Sequence, residues 1–300
     1  MKAIEIIGLT KNYQHHSVIK NICLDVSEGE MYGFIGPNGA GKSTTIKALL
    51  NFIYPTSGTA KILGKDSVRE SKTIKKEVSY VSSDVRFYPN MTAAEIIGYA
   101  ASFHGIHQAT KKANDYYDLF EIEPQKKLGE MSLGNKKKIA IVSGLIAEPR
   151  LMILDEPTNG LDPLMQHRLF ELLTKKNQSG MTVFLSSHDL TEVQNYCTRA
   201  AFIKAGEILT VEDIDKDKAD GKIIQLRGKN LDSKLFQVAG MRKIHQTEDQ
   251  LDLFFDGDIQ TVLPLFIHPT ITDIVIKNQD LEDKFLAMYE GEYNHEHSKN

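Results

Sequence analysis

The chain has 300 residues, of which 41% are hydrophobic and 25% charged, a composition typical of a soluble globular protein with one large or two ordinary domains. A formal net charge of −4 gives no electrostatic reason to expect a nucleic-acid partner, and the basic run at 136–138 is expected to be a solvated helix face. No apolar run approaches the ~20 residues that span a bilayer, so a function at a membrane requires a separate membrane subunit.

Residues 3–10 and 22–26 alternate apolar and polar, which predicts two strands at the start of the chain. The apolar run 31–35 predicts a third strand, and a helix-like run follows at 44–50. Between them, residues 36–44 read GPNGAGKST, with Gly36, Gly41, Lys42 and Ser43 at the spacing of a phosphate-binding loop.

This segment has the residue types that phosphate binding requires. Its glycines let successive backbone N–H groups point into one concavity, and the helix N-terminus that follows favours an anion. Lys42 is expected to reach the terminal phosphates, and the Ser43 hydroxyl to ligate Mg²⁺. The predicted nucleotide-binding residues of this segment are Gly36, Asn38, Gly39, Gly41, Lys42, Ser43 and Thr44.

Short strands are predicted at 59–64 and 78–81, after which residues 92–146 show helical periodicity. Strand patterns return at 151–154, 182–186 and 200–203, with a helix at 165–177 between the first two. This alternation predicts an α/β fold, in which a largely parallel sheet is covered by helices and interrupted by a helical insertion.

The strand at 151–154 ends in the paired carboxylates Asp155 and Glu156. We expect this strand to run beside the phosphate-loop strand and to bring both carboxylates to the phosphates. Asp155 is then placed to hold Mg²⁺, and Glu156 to take a proton from the attacking water.

The remainder of the chain predicts a second, smaller domain. Alternating acidic and basic residues at 211–221 indicate a linker. Strands are predicted at 222–227, 241–246, 251–255 and 272–276, and helices near 231–238, 259–267 and 281–289, an order similar to a small βαββαβ unit. The predicted boundaries are a main domain at 1–212 with a helical part at about 88–147, a linker at 213–221, a small α+β domain at 222–290 and a disordered tail at 291–300.

Several ordered motifs show that residues 1–210 resemble an ATP-binding cassette (ABC) ATPase. DEPTNGLDP at 155–163 matches the Walker B strand end and D-loop, SSHD at 186–189 resembles the switch-histidine loop, and MSLGN at 131–135 stands where the Leu-Ser-Gly-Gly-Gln signature belongs. The resemblance implies a P-loop NTPase cassette with an N-terminal β-rich part, an α-helical subdomain and a small α+β C-terminal domain.

The resemblance also implies roles for individual residues, with ATP and Mg²⁺ as substrate and cofactor. Glu156 acts as the general base, while Lys42 and His188 hold the γ-phosphate. Tyr13 stacks on adenine. Ser132 and Gly134 contact nucleotide held by a second cassette, and Asp162 joins the two half-sites, so a homo- or heterodimer is implied.

Two departures from the family pattern bear on activity. Ser83 stands where the family usually has glutamine, and the shorter side chain reaches less far towards Mg²⁺ or water. The signature carries Leu133 for glycine and Asn135 for glutamine, and a side chain at 133 crowds a close backbone approach. Our hypothesis is slower hydrolysis than in a consensus cassette, or pairing with a different cassette that compensates.

Residues 280–289 are similar to the closing helix of single-cassette subunits that serve bacterial ABC-2-type exporters of drugs and of antimicrobial or amphipathic peptides. This resemblance implies an integral-membrane permease as partner and a peripheral location at the cytoplasmic face of the membrane. The alternatives are a regulatory dimer without a transporter, a ribosome-associated cassette protein and a DNA-repair or chromosome-structure ATPase. The ribosomal class usually joins two cassettes through a charged linker, and the DNA class needs a long coiled coil.

Overall fold

The computed structural model describes residues 1–14, 16–106, 109–214, 221–231, 236, 238–267 and 270–278. The chain divides into two compact units, Met1–Ile214 and Asp215–Asn300. Among the described residues, no helix combines the length and the apolar character needed to cross a membrane.

A six-stranded sheet forms the centre of the first unit, with strand order β10-β9-β3-β8-β7-β6. The pairs from β9 to β6 are parallel, and β10 is antiparallel to β9. Its strands are β3 (Met31–Ile35), β6 (Val78–Val81), β7 (Leu151–Asp155), β8 (Thr182–Ser187), β9 (Arg199–Lys204) and β10 (Glu207–Asp213). Strands β3, β7 and β8 are buried along their whole length, as expected for a sheet covered on both faces.

The N-terminal part is a four-stranded antiparallel sheet with order β2-β1-β4-β5. Its strands are β1 (Lys2–Tyr13), β2 (His16–Ser27), β4 (Ser57–Ile62) and β5 (Lys65–Asp66). Alternate residues of β1 and β2, including Ile4, Ile6, Ile22 and Leu24, are buried in a core that also contains residues of helix α1 (Lys42–Leu49). The predicted β-rich N-terminal part is therefore confirmed.

Helices α3 (Ala93–Phe103), α4 (Ala109–Phe120) and α5 (Leu133–Leu145) form the predicted helical insertion. Helix α3 begins with a capping box, in which the Thr92 side chain accepts from the Glu95 backbone and the Glu95 side chain accepts from the Thr92 backbone. The expectation that 136–138 is a solvated face is wrong, because Lys137 is 0% exposed and Lys138 is 7% exposed.

The prediction that β7 lies beside the phosphate-loop strand is also wrong, because β8 pairs with β3 on one side and β7 on the other. Each of these strands has a short apolar run, 151–154 in β7 and 183–185 in β8, so the sequence pattern does not show which of them lies beside β3. Helix α7 (Leu190–Tyr196) and strand β10 were not predicted, and β10 includes residues 211–213 of the expected linker. The remaining helices of this unit are α2 (Ser71–Ile74) and α6 (Pro163–Gln178).

The second unit contains a four-stranded antiparallel sheet with order β12-β13-β11-β14. Its strands are β11 (Lys222–Gly228), β12 (Met241–Gln246), β13 (Gln250–Phe255) and β14 (Ile271–Asn278), which agree with the four predicted strands. One face packs into a core that includes Leu226, Leu253, Phe255 and Phe266.

The helix predicted over 259–267 is wrong: this stretch forms two short 3₁₀ turns, Ile259–Thr261 and Leu263–Phe266. Pro264 explains the interruption, because its ring clashes with the carbonyl four residues earlier and it has no N–H to donate. Four predicted segments lie wholly or mostly outside the described residues: the linker residues 215–220, the helix at 231–238, the helix at 281–289 and the tail at 291–300.

Candidate functional site

The loop at 36–44 connects the buried end of β3 to the N-terminus of α1. Gly41 is the N-cap of α1 with φ of 108°, which is a left-handed conformation that favours glycine. A Cβ atom on Gly36 would lie 2.3 Å from the Ile203 carbonyl oxygen, so the backbone packs too closely there for a side chain. An open cavity of about 200 Å³ is lined by Val18, Glu156 and the loop residues Pro37, Asn38, Gly39, Ala40, Gly41, Lys42, Ser43 and Thr44.

Lys42 lies folded along this loop and is only 5% exposed. Its Nζ donates to the carbonyl oxygens of Gly36 at 2.6 Å and Pro37 at 3.2 Å. The same atom lies 3.1 Å from Glu156 Oε1. The predicted phosphate-binding lysine and the predicted base are therefore brought into direct contact.

Glu156 is held by three side chains from separate segments. Besides Lys42, Asn159 Nδ2 donates to Glu156 Oε2 at 2.6 Å, and His188 Nδ1 lies 3.2 Å from the same oxygen. Burial raises the pKa of Glu156, but the hydrogen bonds from Lys42 and Asn159 and the charges of Lys42 and His188 outweigh it and lower the pKa. The carboxylate is thus kept ionised at the loop, as a proton acceptor requires.

Asp155 is completely buried at the end of β7. Its Oδ1 accepts from Ser186 Oγ at 2.6 Å, while its buried Oδ2 has no hydrogen-bond partner. A buried carboxylate oxygen without a partner is costly, and a hard cation is the partner that it fits. Ser43 is half-buried in the first turn of α1. The structure thus suits a Mg²⁺ ion held by few protein oxygens together with phosphate and water, and no metal cage of three or more His, Cys, Asp or Glu is found in the described part of the chain.

His188 follows the end of β8, and its side chain is 50% exposed. The preceding carbonyl, Ser187 O, accepts from the Gly36 backbone N–H at 3.4 Å, so the switch-histidine loop lies against the phosphate loop. The central position of β8 brings it there, because β8 separates the phosphate-loop strand from the strand of Asp155.

Ser132, Gly134 and Asp162 do not line the loop cavity. Ser132 caps α5 by accepting from Asn135 N at 3.3 Å, and Asp162 caps α6 by accepting from Met165 N at 3.0 Å. A Cβ atom on Gly134 would lie 2.2 Å from the Gly160 carbonyl oxygen, so a close backbone contact explains this glycine within the chain. The side chains of Ser132 and Asp162 remain exposed.

Two further predicted site residues lie outside the loop cavity as well. Tyr13 ends β1 and is 48% exposed, with Lys11 Nζ 4.9 Å from its ring centroid. Ser83 is half-buried in the loop after β6, and its backbone oxygen accepts from Lys137 Nζ at 3.0 Å. Their roles towards adenine and towards Mg²⁺ or water stay predictions.

The sequence reading missed Asn159, Ser186 and Lys137, which all hydrogen-bond Glu156 or Asp155. Asn159 and Ser186 belong to the motifs at 155–163 and 186–189. Their polar side chains within these motifs could have indicated hydrogen bonds to the carboxylates. Lys137 gave a misleading signal, because it lies within a run of three lysines.

The chain is similar in sequence to known ATP-binding proteins of transporters. Residues 19–159 match the family model described as ABC transporter. The bacitracin transport ATP-binding protein BcrA of Bacillus licheniformis is 36% identical over 96% of this chain and 97% of its own length. The linearmycin resistance ATP-binding protein LnrL of Bacillus subtilis (strain 168) is 29% identical over 94% of this chain and 96% of its own length.

Among solved structures, the ATP-binding cassette MJ0796, as a dimer in a post-hydrolysis state with ADP and Pi, matches with a TM-score of 0.66 and 25% identity. The match covers 71% of this chain and 99% of that one. The predicted α/β fold class is confirmed by this likeness.

Proposed function

The chain belongs to the ABC transporter family as an ATP-hydrolysing cassette, and from this premise we propose that it powers an exporter through a separate membrane permease. The hydrolysis that this proposal requires rests on the contact of Glu156 with Lys42 and His188 at the end of the phosphate loop, and the export rests on the transport relatives. This grouping supports the roles proposed for Glu156 as a proton acceptor and for Lys42 and His188 as phosphate-binding groups.

In the proposed reaction, water attacks the γ-phosphorus, the bond to the bridging oxygen of ADP breaks, and Glu156 accepts the proton of the water. Lys42 binds the terminal phosphates, which withdraws it from Glu156 and leaves that carboxylate free to act. His188 donates a hydrogen bond to the γ-phosphate and stabilises the developing charge. Asp155 and Ser43 hold Mg²⁺, which neutralises phosphate charge when bound.

We further propose that two cassettes sandwich ATP. The exposed Ser132 lies at the N-terminus of α5, where backbone N–H groups and the helix dipole favour an anion. Because Ser132 and Asp162 do not line the chain's own loop cavity, a second cassette is the natural recipient of their contacts. The dimeric state of the MJ0796 cassette supports this arrangement.

The permease is proposed to be of the ABC-2 type and to dock its cytoplasmic helices near the helical insertion and the Ser83 loop. An open cavity of about 460 Å³ supports this site; it is lined by residues that include Val85, Phe87, His104 and Gly144. On nearby parts of the chain, the exposed aromatic side chains of Tyr88, Tyr99 and Phe103 supply apolar surface of the kind that interfaces bury. Such docking places the cassette at the cytoplasmic face of the membrane.

The cargo is proposed to be an amphipathic or antimicrobial peptide or a drug. The relatives named for bacitracin transport and linearmycin resistance support this class, and both match almost the whole chain. The cargo itself is expected to bind the permease, since the cassette's loop cavity fits a phosphate-bearing ligand.

The test is to purify the full-length, tagged chain from gently solubilised membranes and to identify its partners. We expect a multi-spanning membrane protein in stoichiometric amount, and ATP-dependent transport of an amphipathic peptide when the pair is reconstituted in vesicles. Recovery of the chain without a membrane partner, or bound to ribosomes, would contradict the exporter and favour the regulatory or ribosome-associated alternative.

A further inference from the structure

Lys137 is a fully buried cation in the second turn of α5, five residues after Ser132. Its Nζ donates three hydrogen bonds to backbone carbonyl oxygens: Ser82 and Ser83 at 3.0 Å each, and Glu156 at 3.2 Å. A buried ammonium is costly unless its donors are satisfied, and these three acceptors match its three N–H groups.

The three acceptors come from two segments that the sequence separates widely. Ser82 and Ser83 follow β6, while Glu156 follows β7. Since Lys137 belongs to α5, a single side chain links the Ser83 loop, the helix that begins at Ser132 and the backbone of the proposed base.

The backbone of Glu156 needs such support because it adopts φ of +49°, a left-handed conformation that costs a non-glycine residue energy. Its N–H donates to the Ser186 carbonyl oxygen at 3.1 Å, and its own carbonyl accepts from Lys137. Both peptide groups that flank the Glu156 side chain are therefore held, which fixes the direction in which the carboxylate leaves the main chain.

Burial lowers the pKa of Lys137 below its ordinary value, and the negative charges of Asp155, Glu156 and Asp84 offset only part of that shift. A neutral side chain of equal length would leave three carbonyl oxygens without their donor and would remove the positive charge beside the buried Asp155.

We propose that Lys137 is a positioning residue for ATP hydrolysis. It fixes the orientation of the Glu156 carboxylate for proton transfer. It also couples that orientation to the Ser83 loop and to the helix that begins at Ser132. The coupling runs through carbonyl oxygens, so it operates with serine at position 83. This inference rests on the proposed function, because it assigns Lys137 an effect on the hydrolysis step.

The test compares steady-state hydrolysis and equilibrium binding of Mg-ATP by the full-length chain and three variants. Lys137→Met removes the donors and the charge but keeps an unbranched side chain one atom shorter, Lys137→Gln restores two N–H donors, and Lys138→Met makes the same change at the next buried lysine. Since small displacements of a catalytic group cost up to about 100-fold, we expect Lys137→Met to lower kcat by about tenfold or more and to leave ATP affinity and KM within about threefold. Lys137→Gln should recover part of kcat, and Lys138→Met should stay within about twofold of the wild type.

Unchanged kcat in Lys137→Met would overturn the inference while leaving the proposed function intact. Equal losses of ATP affinity, kcat and thermal stability in both Lys137 variants would also overturn it, in favour of a purely structural lysine. If Lys137→Met does not fold, Lys137→Gln decides between these outcomes by the same split between kcat and affinity. Absence of hydrolysis in the wild type, in every setting including the reconstituted pair, would instead count against the proposed function.

Discussion

The phosphate-loop end and the signature end of this cassette use their polar side chains differently. At the loop end, Lys42 and Glu156 are 5% and 12% exposed and are joined directly. At the signature end, Ser132 and Asp162 are exposed and only cap the helices that they begin. Leu133, beside Ser132, is 54% exposed.

This difference shows which part of the ATP site one chain completes. At the loop end, Lys42 and Glu156 neutralise each other within one chain, and bound phosphate would replace Glu156 as the partner of Lys42. The signature end keeps exposed oxygen atoms, helix N-terminal N–H groups and an apolar side chain, which are groups that a partner's bound nucleotide would meet. We therefore expect mutations at the loop end to affect each chain by itself, and mutations at the signature end to act only in the dimer.

The largest effect is expected at the loop end, for Glu156→Gln. Loss of a general base typically costs 10²- to 10⁴-fold, so kcat should fall by about that factor while ATP binding persists. The matched control is Glu207→Gln, which changes an exposed glutamate paired with Lys20 and should leave kcat near the wild type. A kcat of Glu156→Gln within tenfold of the wild-type value would show that Glu156 is not the general base.

A smaller effect is expected at the signature end, for Ser132→Ala. Loss of one hydrogen bond to a charged group costs about 1.5–3 kcal/mol, so hydrolysis should fall by roughly 10- to 100-fold at chain concentrations that allow dimers. ATP binding by the separate chain should not change. Thr92→Ala is the matched control, because it also removes a helix N-cap and costs about 1 kcal/mol of stability.

If Ser132→Ala and Thr92→Ala lower hydrolysis equally, the serine acts only as a cap and the contrast between the two ends fails. Mixing each variant with Glu156→Gln chains sharpens the test. In a mixed dimer, the intact loop of the Ser132→Ala chain meets the intact Ser132 of the Glu156→Gln chain, so this site should recover hydrolysis, while both defects fall together in the other site.

A few-fold effect is expected for Ser83→Gln, in the direction of faster turnover. The longer amide side chain reaches further towards Mg²⁺ and water, while Lys137 continues to hold the backbone of this loop. Steady-state ATPase rates would be compared with those of Ser57→Gln, an exposed serine in β4. Turnover typical of a consensus cassette in the wild type alone would contradict our hypothesis of slow hydrolysis.

The strand–loop–helix arrangement around the phosphate loop could be predicted from the sequence because it is local. Gly36 to Thr44 form one continuous motif, and Asp155 and Glu156 end an apolar strand. The neighbour of β3 and the roles of Ser186 and Lys137 could not be predicted, because they depend on which buried strands pair and on which helix face packs inward. Lys137 illustrates the limit: a run of three lysines indicates solvent, and only tertiary packing puts two of them inside.

The smallest effect concerns Glu192, a buried carboxyl whose Oε2 accepts from Ser187 Oγ at 2.8 Å. Burial raises the pKa of Glu192 above its ordinary 4.5, although hydrogen bonds from Thr158 and Ser187 oppose the shift. Between the ordinary and the raised value, the folded chain keeps a proton that the unfolded chain has lost. The free energy of unfolding therefore falls as pH rises through this window, by at most about 1.4 kcal/mol per pH unit for one proton.

Glu192→Gln removes this titration, so its melting temperature relative to the wild type should rise with pH from about 4.5 upwards. Thermal unfolding of both proteins across this range measures the difference, with the exposed Glu171→Gln as matched control. An offset independent of pH would show that Glu192 carries no such linkage. A rising offset would show that the folded chain holds the proton of Glu192, which has hydrogen bonds from Ser187 and Thr158, at a pH where an exposed glutamate has lost it.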